Sequence, residues 1–115
     1  MKRGEIWLIN LDPAVGAEIK KIRPAMIINN DTVGKLPLKI IVPITDWKER
    51  YSTAPWMVKI QPSKQNGLTK ISALDCFQVR SISEMRLIKR VGCASFSEIT
   101  QVQQGVVRVV SAAAT

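Results

Sequence analysis

Short apolar runs alternate with polar, turn-forming segments along most of the chain. Residues 6–11 place apolar side chains on both faces of an extended backbone, which is typical of a strand buried on much of both sides. Asp12-Pro13 ends this run, and the polar residues 13–22 indicate a long loop. Further apolar runs predict strands at residues 25–29, 38–44, 56–60 and 88–93, with one or two more within residues 69–82.

The last part of the chain has a helical period. Ser95 stands three residues before Glu98, which is the spacing of a capping box and predicts that a helix begins there. Apolar residues then recur near the helical period, at positions 99, 102, 106, 109 and 110. We expect this face to pack on the sheet or on a partner, and we expect residues 83–86 to form one short helical turn.

This order of elements favours a mainly β fold of the α+β type. Many short strands and one terminal helix indicate a small, strongly twisted barrel or sandwich, because short strands that close on one another leave no exposed edge. There is neither an alternating β-α-β order nor a phosphate-binding loop motif, so a dinucleotide fold is not expected. No linker or repeat divides the 115 residues, and we expect a single domain, 1–115.

The charge balance suggests a polyanionic partner. The 17 Lys and Arg residues outnumber the 9 Asp and Glu residues, which gives a net charge of +8. Nucleic acid is the usual partner of so basic a domain, although a basic surface without a partner fits the same numbers. We find no signal-peptide pattern and no apolar run of the roughly 18 residues that span a bilayer, so we expect a soluble, cytoplasmic protein with no membrane partner.

Histidine is absent from the sequence. This excludes Ser-His-Asp and Cys-His catalysis and most zinc hydrolase schemes. The two cysteines, Cys76 and Cys93, are far apart and form no Cys-x-x-Cys pair, so we expect buried free thiols and no metal site. Acid–base chemistry is therefore left to carboxylates, Lys, Arg, Tyr and hydroxyl groups.

The segment at residues 16–24 is the richest in candidate chemistry. Glu18, Lys20 and Lys21 lie on a predicted loop, and Arg23 precedes Pro24. A residue before proline is restricted to an extended backbone, so Arg23 starts from a stiff position. Its guanidinium can form a bidentate pair with a phosphate, and the lysines can neutralise neighbouring phosphates. The alternative is a solvated basic loop with Arg23 in a structural ion pair.

Two further places combine polar and apolar residues. Thr45 ends a predicted strand, where its hydroxyl either caps a turn or faces a ligand. Asp75 and Phe77 would share one face of a predicted strand, with Gln78 and Arg80 on the opposite parity. None of these residues identifies a site on its own.

Several short motifs occur in a fixed order along the chain. They are Arg-Gly-Glu-Ile-Trp at 3–7, Asn-Leu-Asp-Pro at 10–13, Gly-x-Glu at 16–18, Arg-Pro-Ala-Met-Ile-Ile-Asn-Asn at 23–30, Pro-Ile-Thr at 43–45, Asn-Gly-Leu at 66–68 and Gln-Val-Arg-Ser-Ile at 78–82. Each is weak alone. As an ordered series over nearly the whole chain, they resemble the MazF/PemK/Kid family of type II toxins.

The resemblance implies a homodimer of SH3-like barrels, each with a C-terminal helix. It also implies a toxin that cuts single-stranded RNA at short sequences, without a metal or other cofactor, and whose protein partner is a cognate antitoxin. The 2′-hydroxyl beside each phosphate of RNA is a built-in nucleophile. The implied products are therefore a 2′,3′-cyclic phosphate and a 5′-hydroxyl end.

The motif match also implies roles for individual residues. Arg23 takes the family's essential arginine role, stabilising the phosphorane charge and supplying the acid proton, while the high pKa of arginine side chains makes it a poor base. Thr45 takes the essential threonine role and hydrogen-bonds the scissile phosphate. Glu18, Lys20 and Lys21 lie in the loop that approaches RNA. Gln78 matches a base-reading position.

The sequence departs from the family pattern before Gln78. Some members carry an Asp or Glu there, which is catalytic in one branch, whereas this chain has Phe77. Either Asp75 replaces the acid from a shifted position or the acid is dispensable. Phe77 either stacks on a base or packs in the core. The histidine that some members have in the first loop is also absent.

Two other functions remain open on the sequence. A CcdB-like toxin would keep the fold and bind DNA gyrase without cleaving nucleic acid, but the Arg23-Pro24 and Thr45 motifs argue against it. A non-catalytic SH3-like RNA-binding module would fit the net charge equally well.

Overall fold

The computed structural model describes residues 1–112, which form seven strands, three short 3-10 helices and one α-helix. The strands are β1 (Glu5–Asn10), β2 (Ile22–Ile27), β3 (Leu38–Asp46), β4 (Met57–Ile60), β5 (Ser72–Asp75), β6 (Arg80–Ser83) and β7 (Leu87–Cys93). The 3-10 helices span Glu49–Thr53, Cys76–Gln78 and Glu84–Arg86, and the helix α1 spans Phe96–Val110.

The strands form one antiparallel sheet that curls strongly. Its order is β4-β5-β3-β2-β1-β7, and β6 is a further partner of β3. β5 and β6 pair with successive halves of β3. Only Glu84–Arg86 separates β6, beside β3, from β7, beside β1. Because β2 lies between β1 and β3, so short a connection requires the sheet to bend round on itself.

The curled sheet buries two apolar clusters. The first contains Ile6, Met26, Val42, Ile44, Ile60, Leu74, Cys76, Ala94 and Val102. The second contains Ile9, Leu11, Ala25, Ile27, Ile41 and Ile82. Successive residues of β2 alternate between the clusters, with Ala25 and Ile27 in the second and Met26 in the first, as the two faces of a strand require. This is why the central strands have nearly continuous apolar sequences.

The helix α1 covers the first cluster, as its period predicted. Ser95 Oγ accepts a hydrogen bond from Glu98 N at 3.1 Å, and Glu98 Oε1 accepts one from Ser95 N at 2.8 Å, which confirms the capping box. Val102 is fully buried in the cluster. At Gly105 a Cβ would lie 2.6 Å from Cys76 Sγ, so glycine allows the helix backbone to approach that side chain closely.

The predicted order of elements is confirmed, but several bounds differ. β2 begins at Ile22, β3 continues to Asp46, and the 3-10 helix Glu49–Thr53 lies in a segment expected only to be polar. Residues 69–82 contain two strands, β5 and β6, and the predicted turn at 83–86 is the 3-10 helix Glu84–Arg86. No helix within residues 1–112 is long and apolar enough to cross a membrane.

Candidate active site

Arg23 and Thr45 lie at corresponding positions of neighbouring strands. The last pair between β2 and β3 joins Ala25 and Pro43, and Arg23 and Thr45 each lie two residues beyond it. Beyond that pair, β2 pairs only with β1, and β3 pairs only with β5. Arg23 stays opposite Ile9 of β1, and Thr45 stays opposite Ala73 of β5. Arg23 is two residues from Ala25 and Thr45 is two residues from Pro43, so both side chains point to the same face of the sheet. Their backbones are held by different neighbouring strands, β1 for Arg23 and β5 for Thr45.

Both side chains are free of protein partners among the residues that the structure describes. Arg23 is exposed, and no carboxylate of residues 1–112 comes within salt-bridge distance of it. Thr45 is half-buried, and within the same residues its hydroxyl makes no hydrogen bond. The ion pair considered for Arg23 and the turn cap considered for Thr45 are therefore both absent from this part of the chain. The guanidinium and the hydroxyl are left available to a ligand.

The loop at residues 11–21 is closed at its base. Leu11 N donates to Lys21 O at 2.9 Å, and Lys21 N donates to Asp12 Oδ1 at 3.0 Å. Lys21 has a φ of 71°, in the left-handed region that non-glycine residues rarely adopt. These contacts use only backbone atoms of Lys21 and leave its ammonium free. Lys20 and Lys21 are both exposed, just before the start of β2. Two cations are thus presented next to Arg23.

An arginine that the sequence analysis did not single out also holds the loop. Arg86 Nη1 donates to Asn10 O at 3.0 Å and to Asp12 O at 2.5 Å. Arg86 lies in the 3-10 helix between β6 and β7. No local sequence signal points to this contact, since it depends on the curl that brings this helix beside the end of β1.

A groove of about 330 Å³ runs between this loop and the end of β5. Its lining residues are Leu11, Glu18, Ile19, Pro43, Phe77, Gln78, Val79 and Arg80. Pro43 precedes Thr45 by two residues and shares its face, so the groove lies on the same side of the sheet as Thr45 and Arg23. Arg80, whose Nη1 lies 3.5 Å from Leu11 O, adds a cation that sequence analysis had not assigned to the site.

Asp75 and Phe77 do not share a strand face, so that prediction is wrong. β5 ends at Asp75, and a 3-10 turn, Cys76–Gln78, replaces the expected strand. Asp75 is 6% exposed, whereas Phe77 is 67% exposed and packs edge-on against Trp56 with ring centroids 5.9 Å apart. A core role for Phe77 is therefore excluded, and its ring lies open at the mouth of the groove.

Asp75 and Gln78 form a polar network beneath the loop. Asp75 accepts hydrogen bonds from Phe77 N and Gln78 Nε2, each at 3.1 Å. Gln78 Nε2 also donates to Ala17 O at 3.3 Å, and its Oε1 accepts from Ile19 N at 2.6 Å. Burial raises the pKa of Asp75, and the hydrogen bonds from Phe77 and Gln78 oppose that rise. Glu18 Oε1 caps the loop itself by accepting from Val15 N at 2.6 Å.

Cys76 is beside this network but is not a nucleophile. Burial, followed by the charge of Asp75, raises the pKa of the Cys76 thiol to about 12, so the thiolate does not form near neutral pH. Cys76 and Cys93 are both free thiols, but only Cys76 is buried, so the expectation of two buried thiols is wrong for Cys93. Within residues 1–112, no three His, Cys, Asp or Glu side chains lie close enough together to share a metal ion.

Comparisons with known proteins agree with this architecture. The chain matches the family model of the PemK-like, MazF-like toxin of type II toxin-antitoxin systems over residues 2–110. It is 31% identical over 110 residues to the endoribonuclease MazF9 of Mycobacterium tuberculosis, covering 90% of this chain and 91% of the relative. It is 31% identical over 106 residues to the endoribonuclease MazF of Staphylococcus saprophyticus, covering 92% and 88%.

Solved structures share the fold. MazF from Deinococcus radiodurans superposes with a TM-score of 0.77 at 18% identity and covers 96% of both chains. A mycobacterial endoribonuclease in complex with its cognate antitoxin superposes with a TM-score of 0.73 at 16% identity, covering 94% of this chain and 92% of that one. These likenesses confirm the mainly antiparallel β fold with one C-terminal helix. Since the family model spans all but the ends of the chain, this protein belongs to the PemK-like, MazF-like toxins of type II toxin-antitoxin systems.

Proposed function

We propose that this chain is a metal-independent endoribonuclease toxin that cuts single-stranded cytoplasmic RNA. The observation that carries this proposal is where Arg23 and Thr45 stand in β2 and β3, each two residues beyond the last pair that joins these strands. Both lie on one face of adjacent strands, and neither side chain has a partner within residues 1–112. The relatives from Mycobacterium tuberculosis and Staphylococcus saprophyticus are named endoribonucleases, which supports the same activity.

The reaction we propose uses the RNA's own nucleophile. The 2′-oxygen attacks the adjacent phosphorus and loses its proton to solvent, while the bond from phosphorus to the 5′-oxygen breaks. Negative charge builds up on the non-bridging oxygens, where the Arg23 guanidinium and the Thr45 hydroxyl stabilise it. The departing 5′-oxygen takes up a proton, for which Arg23 is the proposed donor, and solvent then returns a proton to Arg23. The products are a 2′,3′-cyclic phosphate and a 5′-hydroxyl.

The surroundings of the pair suit a single-stranded polyanion. Lys20 and Lys21 are exposed beside Arg23, and Arg80 lines the groove. These cations would neutralise phosphates on either side of the scissile bond. Phe77, open at the mouth of the groove, offers a face on which an unpaired base can stack. Glu18, at the rim of the same groove, would contact the RNA through the carboxylate oxygen that Val15 N does not occupy.

We also propose a homodimer as the active form and a cognate antitoxin as its regulator. One of the structural relatives is described in complex with its cognate antitoxin, and this chain shares 94% of its length with that fold. The net charge of +8 would attract an acidic antitoxin segment to the groove in place of RNA.

The test is cleavage of a mixed-sequence RNA by the purified protein in EDTA. We expect cut RNA with 2′,3′-cyclic phosphate and 5′-hydroxyl ends. Arg23→Ala should abolish cutting and keep the wild-type circular dichroism spectrum. Arg108→Ala, which removes an exposed arginine of α1, is the matched control and should cut normally.

Other outcomes would point elsewhere. Intact RNA bound tightly by the wild-type protein would indicate a binding module, and inhibition of DNA supercoiling would indicate a gyrase-directed toxin. Full activity in Arg23→Ala would remove this residue from the mechanism.

A further inference from the structure

The Gln78 side chain has little hydrogen-bonding capacity left for RNA. A carboxamide carries two N–H hydrogens and an oxygen with two lone pairs. Nε2 donates to Ala17 O at 3.3 Å and to Asp75 Oδ2 at 3.1 Å, so both hydrogens are used. Oε1 accepts from Ile19 N at 2.6 Å. To donate to a base, Gln78 must first give up one of these protein contacts.

Asp75 sets the orientation of that carboxamide. An ionised carboxylate only accepts hydrogen bonds, so Nε2 of Gln78 must face Asp75 and Oε1 must face Ile19 N. The reversed orientation would place two acceptors together at Asp75 and two donors together at Ile19. Asp75 is itself held because its other oxygen accepts from Phe77 N at 3.1 Å and because it is only 6% exposed.

The carboxamide of Gln78 connects the middle of the loop to the sheet. Ala17 and Ile19 flank Glu18 on the loop, some 60 residues before Gln78 in the sequence. The Arg86 contacts hold only the base of the loop, at Asn10 and Asp12. The Gln78 contacts therefore determine where the segment leading to Lys20 and Lys21 lies along the groove.

We propose that Asp75 and Gln78 are positioning residues, which fasten the loop at residues 16–21 so that its lysines meet the RNA backbone in a fixed place. This rests on the RNA cleavage proposed above. It gives both residues a different role from the base reading and direct RNA contact that the family resemblance implies.

The first test is Asp75→Asn in the free protein. This change keeps an oxygen that accepts from Phe77 N, but it sets a second NH₂ group against Gln78 Nε2. Amide hydrogen exchange should become about tenfold faster at Ile19. Exchange at Met26 and Ile41, in the buried strands, should stay unchanged and so report an intact fold. Gln78→Met, which removes the carboxamide at similar length, should accelerate exchange at Ile19 in the same way.

The second test is the steady-state kinetics of RNA cleavage. A loosened loop weakens RNA binding, so Asp75→Asn should raise KM about tenfold and leave kcat within about threefold of wild type. Partial unfolding would act differently, since it lowers kcat through the fraction of active protein and leaves KM unchanged. Asp31→Asn is the charge-matched control: it removes one exposed carboxylate, which accepts from Arg3 N, and should change neither constant.

Unchanged exchange at Ile19 in both Asp75→Asn and Gln78→Met would overturn the proposal. So would a KM in Asp75→Asn equal to that of Asp31→Asn, or a loss confined to kcat. A wild-type protein that cuts no RNA would refute the proposed function instead. Amide hydrogen exchange at Ile19 is measured without RNA, so it would still show whether Asp75 fastens the loop in that case.

Discussion

The guanidinium of Arg86 donates a hydrogen bond to the carbonyl oxygen of Asp12, 74 residues earlier in the sequence, at 2.5 Å. The same nitrogen reaches Asn10 O at 3.0 Å. These contacts join the short link between β6 and β7 to the first residues of the loop that carries Lys20 and Lys21. The loop is therefore anchored at its base by Arg86 and at its middle by Gln78.

Arg86→Met should impair RNA cleavage with little loss of stability. Freed carbonyls at Asn10 and Asp12 are exposed to water, so the free energy of unfolding should fall by less than about 1 kcal/mol. The loosened loop should lower kcat/KM about tenfold. Arg108→Met removes a guanidinium that donates to Pro55 O at 3.2 Å, far from the loop in sequence, and serves as the control. Equal kcat/KM for the two variants would show that Arg86 is not needed.

Thr45→Val should separate the hydroxyl of Thr45 from its packing. Valine keeps the β-branched shape that suits β3, so the melting temperature should stay near that of the wild type. Loss of one transition-state donor should reduce the single-turnover cleavage rate by about 10²–10³. Thr45→Ser retains a hydroxyl and should keep a rate within about tenfold of wild type. A Thr45→Val variant as fast as wild type would exclude a catalytic hydroxyl.

Gly105→Ala should destabilise the protein although alanine favours helices. Its Cβ would lie 2.6 Å from Cys76 Sγ and 3.3 Å from Val58 Cγ2. The overlap should reduce the free energy of unfolding by about 1–3 kcal/mol, more than the roughly 1 kcal/mol that helix propensity returns. Urea unfolding checks this. Adding Cys76→Ala should recover part of the loss, and strictly additive effects of the two changes would contradict a direct clash.

Glu5 should make stability depend on acid pH. Burial alone raises its pKa, but hydrogen bonds from Trp7 Nε1 and Lys2 N and the contact with the terminal ammonium of Met1 outweigh burial and lower it to about 2. A carboxyl with a folded pKa below its unfolded value stabilises the fold above the unfolded pKa. That contribution is lost as the pH falls from the usual 4.5 to about 2.

The comparison of Glu5→Gln with wild type isolates this effect. The variant should be about 1–3 kcal/mol less stable at pH 6, and the difference should shrink as the pH is lowered through 4.5. Asp75, whose pKa is raised, acts with the opposite sign but is present in both proteins and cancels. Glu49→Gln is the control, because Glu49 accepts from Trp47 Nε1 but is exposed. A difference that does not vary with pH would refute the role given to Glu5.

Much of the fold could be read from local patterns. The capping box at Ser95 and Glu98, the apolar period of α1 and the run of short strands each depend on residues a few positions apart. The 3-10 turn Cys76–Gln78 could not be read this way. Residues 69–82 are apolar enough to suit one or two strands, and nothing in that pattern marks Asp75, whose carboxylate accepts from Phe77 N, as the last residue of β5.

Some parts of the candidate site could likewise be predicted from the sequence, and others could not. Arg23 and Thr45 were identified from motifs in the sequence, and each lies two residues beyond the last pair between β2 and β3. Phe77 was left between stacking and the core, and its exposure excludes the core. Arg86 and the anchoring role of Gln78 were not foreseen, because each joins residues about 60 or more positions apart.

By itself, then, the amino-acid sequence determined which elements form, the family to which they belong, and the arginine and threonine proposed for catalysis. Only the tertiary structure decided how the loop beside them is held. Strand and helix patterns report short-range sterics and burial, whereas the contacts of Arg86 and Gln78 exist only once the sheet has curled and brought distant segments together.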